Sequence, residues 1–159
     1  MSVRTRYRAG VLVITTLGLL LTTSPALASL SGEVSNVAHR GASLKAPENT
    51  LSAMTQAVAD RADLVGIDVA LTADGVPVVI HDDTLARTTD VETAFPGRKP
   101  WWVDDFTLAE IRSLDAGTWR AAAYSGEQVP TLKRVLRELV DSPTGMLLEI
   151  KRPDIYGGP

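Results

Sequence analysis

The 159-residue chain contains no cysteine, which excludes disulfides and thiolate-ligated metal in one stroke. It carries no internal repeat and no low-complexity tract. It also lacks an excess of positive charge: 16 lysines and arginines stand against 19 acidic residues, for a net charge of −3. That balance gives no support to binding nucleic acid or an anionic membrane surface. No apolar run reaches the ~20 residues that a membrane span needs. The longest, Val11 to Leu21, follows a basic start (Arg4, Arg6, Arg8) and precedes the small-x-small sequence Ala26-Leu27-Ala28. This is the layout of a secretory signal peptide cleaved after Ala28, and it predicts a secreted or extracytoplasmic chain, with an uncleaved tether as the alternative. Cleavage at residue 28 leaves 131 residues and takes three of the 16 basic residues and no acidic one, so the remaining net charge is −6.

What the chain does contain is an alternation of short strands and helices. Asn36-Val37-Ala38, running into His39-Arg40-Gly41, reads as a first strand. Pro47-Glu48-Asn49-Thr50 reads as a helix start with Asn49 as the cap, followed by Leu51, Met54, Ala57 and Val58 at helical spacing. A second strand spans 64–71, with Val65, Ile67, Val69 and Leu71 on one face and Gly66, Asp68 and Ala70 on the other. Asp74-Gly75 turns the chain into 76–80, where Pro77 marks an edge strand or a loop. A long excursion over 83–128 holds one clear helix, opened by a Thr107–Glu110 capping box. Thr131 opens a further helix with a stripe of Leu132, Val135, Leu136, Leu139 and Val140, and 146–150 forms a third apolar strand. Such alternation argues for a parallel α/β sheet.

In parallel α/β folds the polar residues at the C-terminal ends of strands build the site. Here those residues are His39 and Arg40, Asp68, then Glu149 and Lys151. His81 joins them at the end of the hairpin arm, so both histidines of the chain belong to the set. Taken singly, each residue of this kind is more often a structural hydrogen-bonding group than a catalyst. Together they suit one chemistry. Two carboxylates on neighbouring strand ends call for a cation between them, and oxygen ligands without cysteine favour Mg²⁺ or Ca²⁺. Arg40 and Lys151 supply positive charge for an anionic substrate. Two imidazoles titrating near neutrality serve as base and acid. The combination describes metal-assisted phosphoester cleavage.

The segments VAHRGAS, APENT, IDVALTADGVPVVIHDDTLARTT, VPTL and LLEIK, in this order over about Val37 to Lys151, resemble the glycerophosphodiester phosphodiesterases. The resemblance implies a TIM-barrel hydrolase, a (β/α)8 fold, that cuts glycerophosphodiesters or related phospholipid-derived substrates into glycerol 3-phosphate and an alcohol with a divalent ion, Ca²⁺ or Mg²⁺. It implies His39 and His81 as the acid/base pair, Arg40 and Lys151 as phosphate contacts, and Asp68 and Glu149 as metal ligands. The 83–128 excursion matches the family's insertion after the second strand, which shapes the glycerol pocket, with Trp101 and Trp102 there or sealing a core. A sphingomyelinase-D-type phospholipase shares the two-histidine logic and is the nearest alternative enzyme.

Two features depart from the pattern. The family's Glu-x-Asp is here Gly66-Ile67-Asp68, so one carboxylate is missing, and neither Glu48 nor Asp63 replaces it by simple strand alternation. Residues 29–159 also reach only about the third barrel strand, whereas a closed barrel takes ~200–250 residues. The expectation is the N-terminal part of a barrel, with open sheet edges that invite self-association, and either an impaired enzyme or a non-catalytic remnant that binds phosphoesters.

Overall fold

A computed structural model describes residues 34–152; the proposed signal peptide over 1–28 lies outside the described residues. No helix among the described residues is long and apolar enough to cross a membrane.

The organising element is strand β2 (Leu64–Leu71), to which every other strand pairs. Strand β1 (Val37–His39) runs parallel to its first half, with His39 opposite Gly66. Strand β4 (Gly145–Ile150) runs parallel along the other edge, with Gly66 opposite Leu147 and Asp68 opposite Glu149. Strand β3 (Pro77–Val79) returns antiparallel beside the second half, with Val69 opposite Val79. Val69 also pairs with Ile150, so β3 and β4 occupy opposite edges of β2. The β2–β3 turn is held by Thr72, whose hydroxyl donates to Asp74 Oδ1 at 2.6 Å and accepts from Val76 N at 2.9 Å.

The alternation of β2 divides the molecule into two cores. Val65, Ile67 and Val69 pack against helix α1 (Leu51–Ala59) through Met54 and Ala57, and against helix α4 (Leu132–Leu139) through Val135 and Leu139. The alanines on α1 let the helix approach the sheet closely. Ala70, with Val78 and Ile80 from the hairpin, instead seats the 83–128 insertion through Leu85, Val91, Trp101, Phe106 and Ile111. Within that insertion Phe95 meets Phe106 edge to face at 5.3 Å, and the Arg98 guanidinium lies 3.8 Å from the Phe106 ring. Helix α2 (Val91–Ala94) and helix α3 (Leu108–Ile111) are short, and α3 has the expected Thr107–Glu110 capping box.

Two local expectations need correction. The cap of α1 is Thr50, whose Oγ1 accepts from Ala53 N; Asn49 has left-handed backbone, φ 58°, and its side chain is drawn elsewhere. On α4 only Val135 and Leu139 of the apolar stripe are buried, while Leu136 is 46% and Val140 72% exposed. No described element packs over that second row. The same is true of β4, where Leu147, Leu148 and Ile150 are exposed along an edge unpaired among the described residues.

Candidate active site

The side of β2 opposite α1 and α4 carries Gly66 and Asp68. Parallel register sets His39, Gly66 and Leu147 in one row across three strands, and Asp68 and Glu149 in the next. Lys151 extends the ladder by donating its backbone N–H to Val69 O at 2.8 Å. His39, Glu149 and Lys151 therefore lie at the C-terminal ends of parallel strands, whereas Asp68, expected at a strand end, sits mid-strand in β2 between them.

Asp68 is the buried centre, 5% exposed. Asn49 Nδ2 donates to its Oδ2 at 2.9 Å, Arg40 Nε lies 3.7 Å from the same oxygen, and Lys151 Nζ lies 3.8 Å from Oδ1. Lys151 also donates to Glu149 Oε1 at 2.8 Å. That hydrogen bond is the main reason the exposed Glu149 carboxyl titrates below its usual range, with smaller contributions from His81 and Arg40. Asp68 is thus partnered within the protein by two cations and one amide.

The loop after β1 is shaped for this task. Gly41 has φ +76°, and a Cβ there would come within 2.6 Å of Ala53 Cβ, so only glycine lets the Arg40 loop pack on α1. Arg40 and Asn49 both hold left-handed backbone (φ 57° and 58°) and are tied by an Asn49 N to Arg40 O bond of 2.9 Å. Non-glycine residues in that region cost energy and cluster at functional sites. Arg40 Nε and Asn49 Oδ1 are both buried without a hydrogen-bond partner. Buried polar groups are normally paired, so the pair marks a place built for a further ligand.

Sequence reasoning assigned no role to a second network beside Asp68. Glu48 accepts from Arg40 Nη1 at 3.0 Å and from Arg87 at 2.9 and 2.8 Å. Arg87 also donates to Asp82 at 2.6 and 2.9 Å, and Asp82 Oδ1 lies 2.7 Å from His81 Nδ1. Burial pushes the Glu48 carboxyl up, but the Arg87 and Arg40 hydrogen bonds outweigh it and hold it below its usual range. The Arg87 bond, against burial and with help from His81, brings Asp82 down to about 2. Glu48 first, then Asp82, raise Arg87 further above its already high value. A relay of hydrogen bonds and ion pairs therefore runs from His81 through Asp82, Arg87, Glu48 and Arg40 to Asp68. Its signal was present in the Pro-Glu-Asn-Thr and Arg-Thr-Thr motifs, but Glu48 and Arg87 are 39 residues apart and nothing local reveals their pairing.

His81 is half-buried and oriented by Asp82, while His39 is exposed at the end of β1. Trp101 is buried in the insertion core, with Nε1 donating to Phe95 O at 2.8 Å. Trp102 is 37% exposed and lies under the Arg152 guanidinium at 5.8 Å, just beyond β4.

A divalent ion needs several oxygen donors. Asp68 and Glu149 share a face and register, but the third place in the rows is Gly66. Glu48 is engaged by two arginines, and Asp63 Oδ2 accepts from Asn36 N at the far end of β2. Among the described residues no group of three histidines and carboxylates converges to hold a metal. The donor set is one carboxylate short of a divalent-ion site.

The profile of the glycerophosphoryl diester phosphodiesterase family matches residues 39–159. The chain belongs to this family. It is 44% identical over 115 residues to a glycerophosphodiester phosphodiesterase of Caldanaerobacter subterraneus subsp. tengcongensis, covering 72% of this chain and 44% of that one. A Bacillus subtilis glycerophosphodiester phosphodiesterase is 39% identical over 130 residues, covering 77% and 41%. An Oleispira antarctica phosphodiesterase, solved with the product sn-glycerol-3-phosphate, superposes with a TM-score of 0.65 at 40% identity, covering 72% and 43%. The chain thus spans less than half the length of these relatives. The family's TIM-barrel fold is present here in part, as an open parallel sheet.

Proposed function

We propose that this mouth hydrolyses glycerophosphodiesters to glycerol 3-phosphate and an alcohol. Arg40 and Lys151 bind the non-bridging phosphate oxygens. One histidine of the His39–His81 pair takes a proton from water as its oxygen attacks phosphorus. The other gives a proton to the alkoxide as the P–O bond to the alcohol breaks. Asp82 holds His81 by Nδ1, which leaves Nε2 to face the substrate. Asp68 anchors Arg40, Lys151 and Asn49, and with Glu149 it supplies two of the carboxylates a Ca²⁺ or Mg²⁺ ion would need, the third being what Gly66→Glu would restore.

The observation that carries this reading is the buried, unpartnered Nε–H of Arg40 beside Asp68, in a mouth shared with Lys151. The test is release of glycerol 3-phosphate from glycerophosphocholine by the chain and by Gly66→Glu, each with and without Ca²⁺ or Mg²⁺. The reading expects turnover in at least the metal-loaded Gly66→Glu protein and its loss in that protein with His39→Ala. No turnover in any form removes the enzymatic reading of this chain. Gly66 favours a second one: a phosphoester-binding mouth without catalysis, which expects glycerol 3-phosphate to bind while glycerophosphocholine stays intact.

A further inference from the structure

Away from the mouth, a groove of about 550 Å³ runs between the end of the insertion and the starts of α1 and α4. Arg112, Lys133, Arg134 and Arg137 line it. None of the four forms an ion pair among the described residues, and Arg61, Lys99, Arg120 and Arg152, also without one, do not line the groove. The one carboxylate in the groove, Glu127, is turned into the wall: its Oε1 accepts from Ser52 N at 3.1 Å and its Oε2 from Ser52 Oγ at 2.8 Å. Four unpaired cations thus share one concavity in a chain whose net charge is negative. Lys133 and Arg134 also sit in the first turn of α4, where the helix dipole disfavours positive charge and no acidic residue offsets it. Such an arrangement is mildly unfavourable on its own and is relieved when an anion joins it.

We propose that this groove binds a ligand bearing clustered phosphate groups. Three of the four cations are arginines, whose planar forks match phosphate oxygens two at a time. The walls are tied in place: Gln128 Nε2 donates to Arg112 O at 2.6 Å, and Ala116 N to Glu127 O at 2.7 Å. Val129 lines both the groove and the crevice behind His81, and Leu51 in the groove is two residues from Asn49, which holds Asp68. A ligand with several phosphates could therefore occupy the groove beside the mouth. The proposal does not depend on turnover.

The probe is tripolyphosphate, titrated calorimetrically into the full chain at low ionic strength. Saturable binding is expected, weakening as salt rises and at least tenfold weaker in Lys133→Glu/Arg137→Glu. Both side chains are exposed, and a melting curve of the double variant checks that it folds. Arg61→Glu, outside the groove, should bind as the parent does, and Arg40→Met, which disables the mouth, should keep the groove-dependent binding. Equal affinity in the double variant overturns the proposal, as does loss of binding in Arg40→Met, which would assign the anion to the mouth. Equally tight citrate binding overturns the phosphate class. Sedimentation with phosphatidylglycerol vesicles separates the sources: groove-dependent binding identifies lipid headgroups, and tripolyphosphate binding without vesicle binding identifies a free phosphate ligand.

Discussion

Replacing Gly66 by glutamate adds a carboxylate to the row that already holds His39 and Leu147, one step behind Asp68 and Glu149. The backbone accepts it: a Cβ at Gly66 meets nothing nearer than Ala38 O at 3.7 Å, Val37 Cγ1 at 3.8 Å and Arg40 N at 3.9 Å, all ordinary contacts. Removing a strand glycine contributes about 0.5–1 kcal/mol, and crowding a third carboxylate beside two others offsets roughly that much without metal. With Ca²⁺ the balance changes. Loss of an outer partner alone lowers metal affinity about 10–100-fold at known sites, so gaining a direct ligand should tighten binding by at least ~100-fold. At saturating ion, that factor is worth about 2.7 kcal/mol of folding stability. For a domain of this size it raises the melting temperature by about 10 °C. The assay is thermal unfolding of both proteins in EDTA and in millimolar CaCl₂. A variant whose melting point responds to Ca²⁺ no more than the parent's would refute the view that Gly66 marks a vacated ligand position.

The other predictions concern acid stability, the insertion core and the open edge. Asp82 is held near 2 in the folded chain, below an ordinary aspartate. Its ion pair thus stabilises the fold above about pH 4, and that contribution is lost as the pH falls from about 4 to 2. The fall from 3.8 to about 2 corresponds to at most about 2.5 kcal/mol, reduced by solvent screening to about 1 kcal/mol, and Asp82→Asn should flatten this part of the stability profile. Phe106→Ala empties the centre of the insertion core and should cost about 3–5 kcal/mol in denaturant unfolding; a change under 1 kcal/mol would mean the insertion is not packed as described. Exposed Leu147 and Ile150 on β4 predict concentration-dependent association in sedimentation, reduced by Leu148→Lys at that edge; identical sedimentation of both proteins at all concentrations would count against it.

Much of this arrangement was readable before any coordinates, because it rests on local periodicity. The alternation of 64–71 separated the helix-facing Val65, Ile67 and Val69 from Asp68, and the Thr107–Glu110 pair is a signal four residues long. The misses have a shared cause. Asn49 is chemically suited to cap a helix, and only the proximity of Asp68, 19 residues on, explains why Thr50 caps instead. Leu136 and Val140 repeat at helical spacing as faithfully as buried residues do; nothing local distinguishes an apolar row that finds a partner from one that does not. The Glu48–Arg87–Asp82 relay and the groove between Arg112 and Arg137 likewise join residues whose neighbourhood exists only after folding.

The chain has just two histidines, so its ring spectrum reports on both proposed proton carriers without ambiguity. The direct measurement is a titration of glycerol 3-phosphate followed by the ring ¹H–¹⁵N signals of His39 and His81, repeated on Arg40→Met. Both imidazoles should shift with one shared saturation midpoint in the parent, and neither should saturate in the variant. Movement of only one ring, or an unchanged midpoint without Arg40, would contradict a phosphate held between them.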